Sequence, residues 1–248
     1  MKKTLLICGA LLALTASVAS AAAGLNFYWN GCSAAAGVSN KTFACTSNTA
    51  TGHTAIGSYI PPAGVTALTG IEIVIDLAST TSPLPAWWQF KNTGTCRQGS
   101  LGMNFVFPGL PGDCQDYYGL AGGASGNLAS YNIGNRGPNT ARILGVAAVD
   151  QLQALPLDET LQYYAFTMTI NNLKTVGTGA CAGCSDPVCI VLNRIKLTQP
   201  AGVGDFAVDD VATSQNLTWQ GIGGINAQCP GATPTHSTTW GSVKALYR

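Results

Sequence analysis

Charge is scarce in this sequence. Only 9% of the 248 residues are Asp, Glu, Lys or Arg, and the formal net charge is +1. Such a chain offers no basic field for a phosphate backbone, so no nucleic-acid partner is expected. Glutamate occurs only at Glu72 and Glu159, and histidine only at His53 and His236. Glycosidases set two carboxylates across a cleft. Glu72 and Asp76 would share one strand face, but roughly 13 Å apart by strand rise, which is too far. A Gly-x-Ser-x-Gly elbow, a Walker loop, a dinucleotide fingerprint, a His-Glu-x-x-His pair and an EF-hand loop are all missing. Both histidines sit in polar turn sequences and are expected at the surface. A hydrolase would need one of them beside an Asp and a nucleophile gathered from distant loops.

One long apolar run is present, at the start. Lys2 and Lys3 precede an uncharged stretch from Thr4 to Val18, and Ala19-Ser20-Ala21 or Ala21-Ala22-Ala23 then supplies a small-residue cleavage site. This is the pattern of a secretory signal peptide. The run is shorter than the roughly 20 residues of a spanning helix. Cys8 lies inside it behind Ile7, which does not fit a lipidation site. Residues 1–23 are therefore expected to be a signal peptide and 24–248 a single secreted domain, extracellular or periplasmic, with no membrane span after cleavage. Removing Lys2 and Lys3 leaves ten cations against eleven acids, a charge of −1.

Cysteine is what the exported part has in quantity. Cys32, Cys45, Cys96, Cys114, Cys181, Cys184, Cys189 and Cys229 make an even set of eight. In an exported chain that count predicts disulfides. The stretch Cys181-Ala-Gly-Cys184-Ser-Asp-Pro-Val-Cys189 also resembles half a zinc site, and its two-residue spacing a redox motif. No histidine stands at finger-like spacing, and no βαβ pattern surrounds it. Spacing leaves 105 pairings open. Pairing neighbours would join Cys32 to Cys45 and Cys96 to Cys114, with Cys229 tied back to the 181–189 loop.

Thirty glycines and twelve prolines punctuate short alternating runs. Strands are predicted at Leu25–Trp29, Thr54–Ile60, Gly70–Ala78, Leu101–Phe107, Tyr163–Ile170, Cys189–Leu197, Asp205–Val211, Asn216–Gln220 and Trp240–Tyr247. Ala141–Val149 fits strand or helix. In Gly70–Ala78, Ile71, Ile73, Ile75 and Leu77 fall on one face, and Glu72, Val74 and Asp76 on the other. Short helical turns are expected near Leu84–Phe90 and Tyr117–Leu120, while Gly122–Gly126 reads as a flexible loop. No long 3.6-residue period appears. The pattern predicts an all-β fold, an antiparallel β-sandwich of jelly-roll type stapled by disulfides.

Two sets of residues suggest binding. Trp87, Trp88, Gln89 and Arg97, with Tyr117 and Tyr118, combine aromatic, amide and cationic groups. In an extended doublet one ring would face outward, as a sugar-stacking platform requires. Asp205, Asp209 and Asp210 cluster in an acid-poor chain, and calcium is the cofactor they would suit. The sequence thus predicts a secreted, non-enzymatic module with a structural or adhesive role. Its expected partner is a glycan or an envelope component, and a final strand at an open edge would let copies self-associate. A carbohydrate-binding module is the second expectation and a loop-assembled hydrolase the third.

Overall fold

The structure is a computed structural model that describes residues 22–90 and 93–221. Residues 1–21 of the expected signal peptide, His236, Cys229 and the expected strand Trp240–Tyr247 lie outside the described residues. Twelve strands and one short helix are described: β1 Gly24–Trp29, β2 Asn40–Lys41, β3 His53–Ile60, β4 Gly70–Ser79, β5 Leu101–Asn104, α1 Tyr117–Leu120, β6 Ser125–Ile133, β7 Thr140–Ala148, β8 Tyr163–Ile170, β9 Val188–Thr198, β10 Phe206–Val208, β11 Val211–Ser214 and β12 Asn216–Trp219. They form two sheets. The smaller runs β11-β1-β3-β8-β5, and the larger runs β2-β12-β9-β4-β7-β6 with β10 beside β9. The expected all-β sandwich is therefore the fold. No described helix is long and apolar enough to cross a membrane.

β4 shows why these residues build a sandwich. Ile71, Ile73, Ile75 and Leu77 are buried, whereas Glu72 is exposed. Burying each aliphatic side chain contributes about 1.5–3 kcal/mol. β7 and β9 flank β4 on its two sides, which makes it central to the larger sheet. Ala141–Val149 resolves as strand, because it pairs with β4 over nine consecutive positions. From the smaller sheet Leu25, Phe27, Trp29, Ile56, Tyr59, Phe166 and Met168 fill the other half of the core.

Three boundaries differ from expectation. β5 stops at Asn104, whose Oδ1 accepts from the amides of Phe105 and Val106 and draws the chain out of the ladder. The run 205–211 divides: β10 joins β9 in the larger sheet and β11 joins β1 in the smaller. The Gly122–Gly126 stretch leads straight into β6, a strand that its small polar residues conceal.

Neither Cys32–Cys45 nor Cys96–Cys114 forms. Cys32 bonds Cys114, Cys45 bonds Cys184, and Cys96 bonds Cys181, with Cα separations of 6.4, 5.9 and 6.0 Å. Cys189 is also disulfide-bonded. These bonds join loops that the sandwich gathers in space, and sequence proximity has no part in that. Cys32 follows β1, and its sulfur sits against Gly112. A Cβ at Gly112 would lie 2.5 Å from that sulfur, and its φ of +119° also suits glycine.

Candidate functional site

The aromatic residues that sequence alone would place at a binding face lie in the core. Trp87 and Trp88 occupy a 3-10 turn, Ala86–Trp88, and both are fully buried. Trp87 Nε1 donates to Thr175 Oγ1 at 2.9 Å, and Trp88 Nε1 to the Gly183 carbonyl at 3.0 Å. Gln89 Nε2 donates to the Leu84 carbonyl at 2.8 Å and closes the turn. Both rings pack on Trp219, 5.0 and 5.3 Å away by centroid. Tyr117 and Tyr118 are likewise buried on α1, their hydroxyls donating to the carbonyls of Leu68 and Ala165. The expectation of one outward ring per doublet fails for a geometric reason. It assumes extended chain, and both doublets lie on helical turns, where neighbouring side chains do not point to opposite faces.

Arg97 is fully buried as well. Its guanidinium stacks on Trp87 and lies 5.1 Å from the Phe90 centroid. It donates to the carbonyls of Trp87 and Asn171. Burial pushes its pKa down to about 9, since desolvation disfavours the charged form. Arg97 thus clamps the tryptophan turn to the β8–β9 loop, which Cys96–Cys181 also ties down.

The acidic candidates do not converge. Asp205 pairs with Lys196 at 2.9 Å and accepts from the Gln199 amide, while Asp209 holds Arg194 at 2.7 Å. Asp210 follows in the chain, and its carbonyl accepts from the Leu25 amide. No three His, Cys, Asp or Glu side chains form a metal-holding group among the described residues. Cations of β9 hold two of the three carboxylates expected to suit calcium.

His53 is not a turn histidine. It opens β3, with its ring 4.3 Å from Phe43 and 5.2 Å from Trp219 by centroid. Its Nε2 lies 3.2 Å from Asn172 Oδ1. Burial lowers its pKa, against an opposing effect of the Asn172 hydrogen bond. Its polar partner is thus an amide and not the carboxylate of a Ser-His-Asp triad.

The assembly that sequence reading missed lies on the outer face of the larger sheet. Asp76 is almost fully buried and takes three contacts: Arg142 Nε at 2.7 Å, Arg142 Nη2 at 2.8 Å and Arg136 Nη1 at 3.1 Å. Arg194 grips Asp209 with the same forked geometry, at 2.9 and 2.7 Å. Val74, Arg142, Asn193, Arg194 and Asp209 line a cavity of about 120 Å³. Asn193 is the extra residue of a β-bulge, since Val74 faces Arg194 and Ile75 faces Leu192. Its Oδ1 is buried without a hydrogen-bond partner. Bulges redirect side chains in this way, often beside binding sites. The alternation of β4 placed Asp76 on this face, but its partners depend on register, which alternation does not reveal. The Nε–Nη2 forks of both arginines are taken by Asp76 and Asp209 in the planar geometry typical of arginine–carboxylate pairs.

Compared with family models, with curated proteins and with solved structures, the chain matches none of them.

Proposed function

We propose that this protein is an exported, non-enzymatic module with a structural or adhesive role at or outside the cell envelope. The observation that carries the reading is the disulfide frame. Bonds of 82, 139 and 85 residues' separation lock a low-charge β-sandwich whose core holds most of its described aromatic rings. Such a frame persists in an oxidising compartment and suits a part that resists unfolding. The test expresses the full chain in a bacterial host, fractionates the cells, alkylates free thiols and sediments the product with isolated envelopes. Oxidised protein outside the cytoplasm that co-sediments with envelopes is the expected result. Reduced protein retained in the cytoplasm would overturn the reading.

A second reading is a module that binds a small hydroxylated or acidic sugar. The unpartnered Oδ1 of Asn193 beside the cavity of Arg142 and Arg194 favours it, and no stacking ring is invoked. A glycan array probed with wild type and Arg194→Ala tests it: signals lost in the variant support it, and a blank array removes it.

A further inference from the structure

We propose that β6 is the edge at which two copies of this chain join, antiparallel, about a two-fold axis. The two sheets end in β11, β5, β2 and β6. β11 and β5 have four residues each and β2 has two, whereas β6 has nine. Among the described residues β6 is laddered to β7 alone. Its sequence, SGNLASYNI, holds no charge and no proline. Exposed edges are normally guarded by charges, proline or brevity, because unpaired N–H and C=O groups are templates for another strand. The one guard β6 carries is a bulge, with Ala129 as the extra residue between Leu128 and Ser130.

The bulge also shapes what β6 can pair with. Gly126, Leu128, Tyr131 and Ile133 stand opposite Ala147, Gly145, Ile143 and Ala141 of β7; in that row Ile143 and Tyr131 are buried. Asn127, Ser130 and Asn132 stand opposite Val146, Leu144 and Arg142, on the outer side. In a two-fold antiparallel pairing, one register sets Asn127 against Asn132 and Leu128 against Tyr131. Gly126 then meets Ile133. At the centre Ser130 meets the bulge residue Ala129; on either side of that pair each core-side residue meets a core-side residue, each outer residue an outer one, and no like charges meet. A strand that complements itself on both faces fits an isologous contact. Half-exposed Ile133 borders the edge and would gain cover. This deepens the structural reading above and rests on it for its purpose, although the contact itself can be tested alone.

The experiment uses the full, oxidised chain in sedimentation velocity from submicromolar to millimolar concentration. Wild type is expected to pass from monomer to dimer. Two double variants, Asn127→Lys with Asn132→Lys and Asn127→Glu with Asn132→Glu, set like charges opposite each other. Each is expected to weaken association by about tenfold, with disulfide mapping and circular dichroism unchanged. An equimolar mixture of the two is expected to restore association as a heterodimer. Monomeric wild type across the range, or variants that associate as wild type does, would overturn the proposal. In the latter case another edge or the 222–248 segment makes the contact. Dimers that fail to co-sediment with envelopes would count against the adhesive role and leave this contact standing.

Discussion

The guanidinium carbon of Arg97 lies 3.5 Å from the centre of the Trp87 ring. No described carboxylate pairs with Arg97, so its charge is compensated by that ring and two carbonyls. Arg97→Met removes the charge but strands both carbonyls and is expected to cost about 2–4 kcal/mol in urea unfolding. Arg97→Lys keeps a buried charge, loses the planar fork, and should be at least as damaging. A lysine variant as stable as wild type would show that the fork and the stack contribute nothing.

The outer-face ion pairs should separate by burial. Asp76→Asn leaves Arg142 and Arg136 without their carboxylate and should cost about 2 kcal/mol, less than a fully buried pair because both arginines are partly exposed. Glu72, more than half exposed and 3.5 Å from Lys196, should tolerate Glu72→Gln with no change in midpoint. Parallel urea titrations of the two variants decide this.

His53 should make the protein acid-sensitive. Its folded pKa is lowered by burial, so in a window below its ordinary value near 6.5 the unfolded chain binds a proton that the folded chain refuses. Stability from this group is full above that value and is lost as pH falls toward the lowered folded pKa. Histidine Cε1 resonances check it, with His53 expected to titrate below the free-residue value. His53→Gln should flatten the loss of stability between neutral and mildly acidic pH.

Peptide mapping without reduction should recover Cys32–Cys114, Cys45–Cys184 and Cys96–Cys181. Replacing Cys96 and Cys181 together with alanine is expected to cost about 4 kcal/mol, from the loop that the bond closes. Recovery of Cys32 joined to Cys45 would contradict the fold at its first loop.

What the sequence revealed follows from periodicity. β4 was legible because four aliphatics alternate with Glu72, Val74 and Asp76; the short turn at Tyr117–Leu120 was expected too, and the structure adds that Asp116 caps it at the Gly119 amide. β6 was not legible. Gly126, Asn127, Ala129, Ser130 and Asn132 have weak strand preference, and its ladder with β7 places it. The tryptophan doublet was found, but its direction was misread, because a 3-10 turn does not alternate. Arg97 was singled out for its company, yet burial of an arginine depends on a cage of Trp87 and Phe90 that only the folded loop provides. Disulfide partners were the least legible, being contacts between loops far apart in the chain.

The bonds from Cys32 and Cys45 both reach past other cysteines before finding their partners. A chain threaded amino terminus first into an oxidant would present Cys32 and Cys45 together before Cys114 or Cys184 arrived. The quickest bond would then be a wrong one. Correct bonding on such a route therefore calls for a shuffling catalyst as well as an oxidant, and the yield of correctly bonded protein should follow isomerase supply more closely than oxidant strength.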